Sequence, residues 1–208
     1  MRNFSSVLLF SIAGVVALAQ EQGPDEEIHF QHRAFKVPFR VSGTDSDATL
    51  LHLYVSKDKG ANWKVTASAA PEDKEFRVFT EKDGRYWFAV QALDKQGKAN
   101  PTKAEQLVAD LKLVVDTLAP KVELRPLAPR QGEIGVAWKV SDDNLDLTSF
   151  RLEYKRADEM TWLKLAMHPG KNEHYWDPQS KLAVEVRLRA RDRAGNTTTV
   201  SISLPPHQ

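Results

Sequence analysis

The sequence predicts an all-β chain: two tandem antiparallel β-sandwich modules behind a signal peptide. Three observations predict it. First, the chain repeats itself: Leu51 to Trp63 (LHLYVSKDKGANW) and Phe150 to Trp162 (FRLEYKRADEMTW) each run as an alternating strand into a turn closed by tryptophan. Second, each copy is followed by another alternating strand and a matching turn, AVQALDKQG from Ala89 to Gly97 and RLRARDRAG from Arg187 to Gly195. A repeat of this kind implies two units that each bury their own core. Third, period-two alternation dominates between turn-forming stretches such as SKDKGAN, EKDG, DKQG, SDDN and DRAGN, and helical periodicity is missing.

The elements follow in order. Arg2, the apolar run Val7 to Leu18 and the small residues Ala17 and Ala19 form a secretory signal over residues 1–19, with cleavage expected before Gln20. The run is shorter than the roughly 20 residues that span a bilayer, so the mature chain is expected to carry no membrane span. No cysteine follows it to carry a lipid. Residues 20–30 are polar and read as a disordered lead-in. The first sandwich is expected over 31–116, with Val37, Phe39 and Val41, then Leu51, Leu53 and Val55, then Tyr86, Phe88, Val90 and Ala92 pointing inward. Lys103 to Lys112 fits either a helical turn or a closing strand. Residues 117–120 form the linker, stiffened by Pro120. The second sandwich is expected over 121–206, with Val136, Trp138 and Val140, then Phe150, Leu152 and Tyr154, then Val184, Val186, Leu188 and Ala190 inward. Trp63 and Trp162 are expected beneath their hairpins, where replacement by alanine would cost about 3 to 5 kcal/mol.

Composition narrows the function. The chain has no cysteine, and its 29 basic and 28 acidic residues leave a formal charge of +1. An exported chain without disulfides points to a bacterial origin and to the periplasm, cell surface or extracellular space. So even a balance offers no footprint for nucleic acid. There is no thiol nucleophile, no GxSxG elbow and no glycine-rich phosphate loop. The histidines are scattered, and the one close pair, His29 and His32, lacks a third metal ligand. An enzyme is therefore not expected.

The corner Asp83, Gly84 and Tyr86 before a strand, the joint VDTLAP (115–120) and the turn DRAGN (192–196) resemble the tandem immunoglobulin-like and fibronectin type III-like modules of bacterial exported proteins. That resemblance covers nearly all of the mature chain and implies two sandwiches, but no single activity, because such modules share architecture without sharing function. The second copy departs from it: LAVEV (182–186) has no tyrosine at the corner.

Three sets of residues are candidates for contact or ligation. Ser56, Asp58, Gly60 and Trp63 match SxDxGxxW, which resembles the Asp-box of sialidase-like propellers. Here it reads as a hairpin staple, since the chain is too short for a propeller. With Tyr86 and Phe88 inward, alternation turns Trp87 outward beside Tyr54 and His52, an exposed aromatic face suited to a sugar ring or a protein partner. The equivalent face of the second copy presents a basic set, Arg151, Arg187, Arg189 and Arg191, interrupted by Glu153 and Glu185. Finally, sandwich topology would bring Asp116, Asp142, Asp143, Asn144 and Asp192 to the module junction, where oxygen ligands could hold a structural Ca²⁺; no other cofactor is expected. The expected function is a non-catalytic binding or spacer protein whose partner is a protein or polysaccharide of the cell envelope. The alternatives are a carbohydrate-binding accessory protein and, third, a hydrolase with an unrecognised site.

Overall fold

The computed structural model describes residues 26–41, 47–168 and 170–206. The expected signal peptide lies outside the described residues. The chain divides into two compact units between Thr117 and Leu118. Among the described residues the regular structure is strand, with three short 3-10 turns and no α-helix.

The first unit contains β1 (Ile28–Phe30), β2 (Ala34–Pro38), β3 (Ala48–Ser56), β4 (Lys64–Ala69), β5 (Glu75–Phe79), β6 (Gly84–Asp94), β7 (Ala99–Asn100) and β8 (Leu111–Val115). One sheet runs β1-β8-β6-β3-β4, with β7 also on β6; the other is the pair β2-β5. Phe35, Val37, Phe76 and Val78 of the small sheet pack with Leu51, Leu53, Tyr86, Phe88 and Leu113 of the large one. Of these, Val37, Leu51, Leu53, Tyr86 and Phe88 are inward positions that the alternation predicts, whereas Phe35, Phe76, Val78 and Leu113 are core residues it did not single out.

Residues 28–30 correct one expectation. Expected in a disordered lead-in, they form β1, which pairs in parallel with β8. Three residues carry too little alternation to register as a strand. What orders them is remote: Ile28 and Phe30 pack on the core, and the Phe30 and Phe35 rings meet edge to face at 5.6 Å. The ambiguous stretch ending at Lys112 divides in two, a 3-10 turn at Ala104–Gln106 and then β8.

The second unit contains β9 (Lys121–Arg130), β10 (Glu133–Ser141), β11 (Arg151–Arg156), β12 (Leu163–Lys164), β13 (Glu173–Trp176), β14 (Val184–Arg191) and β15 (Thr197–Leu204). Its sheets are β13-β10-β9 and β12-β11-β14-β15, antiparallel throughout. Gln131 and Gly132, with φ of 49° and 81°, form the two-residue turn from β9 to β10, the conformation whose twist suits a tight hairpin. Val136, Trp138 and Trp176 face Leu152, Val186 and Leu188 across the core.

Trp63 and Trp162 are not core residues; both are half-buried at the outer faces of their sheets. Parity explains why. Leu163 is registered with the inward Tyr154, so Trp162, one residue earlier, falls on the opposite side with Lys155. In the first unit Lys64 pairs with Val55, which puts Trp63 on the outward side with Ser56. The tryptophans that do fill the second core are Trp138 and Trp176.

Candidate functional site

The SxDxGxxW turn is a closed hydrogen-bonded loop between β3 and β4. The Ser56 hydroxyl donates to Asp58 Oδ1 at 2.7 Å and accepts from the Gly60 N–H at 2.8 Å. Asp58 in turn accepts from the Asn62 N–H at 2.9 Å and from Asn62 Nδ2 at 2.7 Å. Gly60 has φ +88°, a conformation that side-chain-bearing residues rarely adopt, and a Cβ there would lie 3.5 Å from both the Trp63 and the Trp87 rings. Stabilised first by the Asn62 amide and then by Ser56, the Asp58 carboxylate has its pKa lowered to about 2. Its acceptor capacity is engaged in closing the turn.

The register of β3 on β6 sets His52, Tyr54 and Ser56 opposite Gln91, Ala89 and Trp87. The expected face therefore exists, but it is not open. Ala89 is 0% and Gln91 6% exposed, while Trp87, Tyr54 and His52 are half-buried. The Tyr54 hydroxyl donates to Gln91 Oε1 at 2.9 Å, and Gln91 Nε2 donates to the Pro101 carbonyl at 2.7 Å. Lys112 Nζ sits 4.6 Å from the Trp87 ring centre, and His52 Nδ1 lies 2.7 Å from Ser68 Oγ. Residues 101–110, between β7 and β8, contribute to this burial through Gln91 and the β6 backbone. Asp110 closes this excursion onto β6: its N–H donates to the Phe88 carbonyl, and its carboxylate accepts from the Val90 N–H at 2.9 Å. Burial pushes the Asp110 pKa up. The Trp87 Nε1 is buried and has no hydrogen-bond partner among the described residues.

Below this face, the Tyr86 hydroxyl donates to the Lys82 carbonyl at 2.6 Å, the tyrosine-corner bond of immunoglobulin-like sandwiches. Asp83 beside it accepts from the Thr117 N–H at 3.0 Å and from Arg33 Nε at 2.9 Å. Burial opposes the Asp83 charge, but these donors outweigh it and lower the pKa. The corner and the start of the joint are thus tied into one polar knot of the first unit.

On the second unit, the outer face of β11 and β14 is an ion-pair ladder. Arg187 Nε bonds Glu153 Oε2 at 2.8 Å, and Lys155 reaches Glu185 at 3.0 Å. The Arg187 guanidinium stacks 3.9 Å from the Trp162 ring centre, with Lys155 at 5.1 Å. Arg191 bonds Asp146 at 3.2 Å, and Arg151 Nη1 donates to the carbonyls of Thr148 and Phe150. Arg189 is exposed. The predicted basic residues thus divide into Arg187, paired within the ladder, and an end formed by Arg151, Arg189 and Arg191, of which only Arg191 has a carboxylate partner among the described residues.

The calcium candidates are distributed as follows. Asp116 is buried in the first unit, where its N–H donates to the Phe30 carbonyl. In the second unit the loop after β10 meets the loop after β14: Leu145 bridges Asp192, and the Arg193 N–H donates to the Asn144 carbonyl. Asp142 and the buried Asp192 each offer a carboxylate oxygen within 4.8 Å of the other. Asp192 also accepts from the Asn196 N–H and Nδ2, and Asp142 Oδ1 from the Asn144 N–H. Asp143 is exposed. These oxygens are hard ligands of the kind calcium takes.

Neither a protein-family model nor a curated protein matches the sequence. Solved structures do. The fibronectin(III)-like modules of CbhA from Clostridium thermocellum are 13% identical, with 95% of this chain and 94% of that one covered and a TM-score of 0.45. A titin segment is 14% identical over 86% of this chain and 61% of its own, with a TM-score of 0.50. A marsupial T cell receptor is 10% identical over 86% and 70%, with a TM-score of 0.52. The last two likenesses concern fold alone. Together with the strand orders above, they show that the chain has the fold of two tandem immunoglobulin-like β-sandwich modules.

Proposed function

We propose that this chain is a non-catalytic, exported binding or spacer protein of the bacterial envelope that works through the outer surfaces of its sandwiches. One observation carries the reading: the carboxylates whose bonding the structure shows hold the fold. Asp58, Asp83, Asp110 and Asp146 each bind backbone N–H groups of turns or strands, and Glu153 and Glu185 are bridged across the sheet. The first-unit contact region is the surface carrying Trp87, Tyr54 and His52. Its half-buried rings, Trp87 held under Lys112 and Tyr54 bonded through its hydroxyl to Gln91, suit an edge-on protein contact better than the open platform on which a sugar ring stacks.

The test is binding of the mature chain to cell-envelope fractions and to a panel of soluble polysaccharides, with Trp87→Ala in parallel. Saturable binding to protein-containing fractions, lost in the variant, is the expected result. Glycan binding lost in the variant would make the chain a carbohydrate-binding accessory protein, and turnover of any panel member would make it a hydrolase. Calcium held by the second unit's Asp142, Asp143, Asn144 and Asp192 is part of the proposal, supported by the approach of Asp142 to Asp192. It predicts a higher melting temperature in millimolar calcium than in EDTA, and equal midpoints would remove it.

A further inference from the structure

The outer face of the second unit's four-stranded sheet is ordered in cross-strand rows. In one row Lys155, Glu185 and Ser203 lie side by side; in the next, Glu153, Arg187 and Ser201. Each of these rows matches a cation with a carboxylate. The third row does not: Arg151 lies directly opposite Arg189, with Thr199 beyond it. Like charges directly opposite on a sheet destabilise it. Neither arginine has a carboxylate partner among the described residues. The bonds that Arg151 Nη1 makes go to neutral carbonyls, and Arg189 is exposed without an ion pair. Arg191, two residues along β14, shares Asp146 and stays 54% exposed. A face that neutralises two rows and leaves the third doubly positive holds a localised charge whose complement is missing from this unit.

We propose that Arg151, Arg189 and Arg191 dock an extended acidic segment of a protein partner, with carboxylates at alternate positions. This rests on the reading of the chain as a contact protein and names the chemistry of one partner. Arg189 and Arg191 stand two residues apart on one strand, about 6.8 Å. Same-side side chains of an extended peptide have that same repeat, so successive carboxylates meet successive guanidinium groups. Each guanidinium presents a planar fork that binds a carboxylate through two parallel N–H donors. The hydroxyls of Thr197 and Thr199 flank the row on β15 and extend the donor set. A neutral glycan or a single-stranded nucleic acid would call for an open aromatic ring to stack on, whereas the ring of this face, Trp162, is covered by Arg187 and Lys155.

The experiment uses the full mature chain and three probes: a synthetic peptide with glutamate at every second position, its glutamine counterpart, and sodium polygalacturonate. The glutamate peptide is expected to bind saturably and more weakly as salt rises, and the glutamine peptide is expected not to bind. Arg189→Glu should weaken that binding at least about tenfold while holding or raising the melting temperature, because Arg151 then faces an opposite charge. Should Arg189→Glu misfold, Arg189→Ala carries the same expectation for binding. The proposal is overturned by peptide binding that fails to saturate up to about 1 mM. It also falls if the Arg189 variant binds like the parent, or if polygalacturonate binds in place of the peptide. If the peptide fails while envelope fractions still bind, this inference falls alone; if neither binds, the contact-protein reading falls as well.

Discussion

The first and second units bury equivalent positions and differ on the outside. Leu53 and Leu152 occupy the same place in the repeat, and each is 1% exposed; Tyr86 and Val184 are likewise both buried. On the outward side, Trp87 is replaced by Glu185, Ala89 by Arg187 and Gln91 by Arg189. In the first unit that side is aromatic and partly covered, with Gln91 bonded to the 101–110 segment; in the second it is an ion-pair ladder with an unmatched arginine row. The first strand differs too. β1 joins the large sheet in parallel with β8, whereas β9 joins the opposite sheet antiparallel to β10. The inward positions define a sandwich, so they must stay apolar in both units. The outward positions are free of that constraint, and there the two copies have become different surfaces.

The strongest way to break this comparison is through the shared core. Leu53→Ala and Leu152→Ala should each cost about 2 to 5 kcal/mol, measured by denaturant unfolding. A loss below about 1 kcal/mol at either position would show that the two cores are not equivalent. Next in size is the outward tryptophan. Trp162→Ala should cost about 1 to 2 kcal/mol, through the lost stacking of Arg187 and Lys155. A loss like that of Leu152→Ala would return Trp162 to the core.

A smaller effect sharpens the difference between the corners. Tyr86→Phe removes the bond to the Lys82 carbonyl and should cost about 0.5 to 1.5 kcal/mol in the first unit, where the second has Val184 and no such bond to lose. An unchanged midpoint would mean that the corner bond adds nothing to stability.

The smallest effect is the acid response of the Asp58 turn. The folded pKa of about 2 lies below the ordinary value of 3.8. The contribution of the turn is therefore complete above 3.8 and is lost as pH falls through about 2. Asp58→Asn should flatten the decline of the melting midpoint over that window. An identical decline in the variant would show that another carboxylate controls it.

Much of this was legible in the residues. The two-module plan, the inward residues of β3, β6, β10 and β14, and the staple of Ser56, Asp58 and Gly60 all follow from period two and turn chemistry. The tryptophans were misread because a residue that closes a turn belongs to no alternating run, and its side is set by the register of the next strand. The partial burial of Trp87 was missed for another reason. Its neighbours Ala89 and Gln91 are outward by parity yet buried, with Gln91 bonded to a segment ten residues further on, and KAEQLVADLK gives no sign of where it lies. A buried amide such as Gln91 beside an outward tyrosine was the one available hint.

By itself, the sequence determined that this protein is two β-sandwiches and which side of each strand faces a core, because side-chain direction alternates residue by residue and is written locally. Only the tertiary structure decided which sheet the first strand of each unit joins, that residues 101–110 bond to Gln91 on one outer face, and that Arg151 meets Arg189 on the other. Those outcomes depend on pairing between segments far apart in the chain, where register and edge choice are settled by packing and hydrogen bonding rather than by any local pattern.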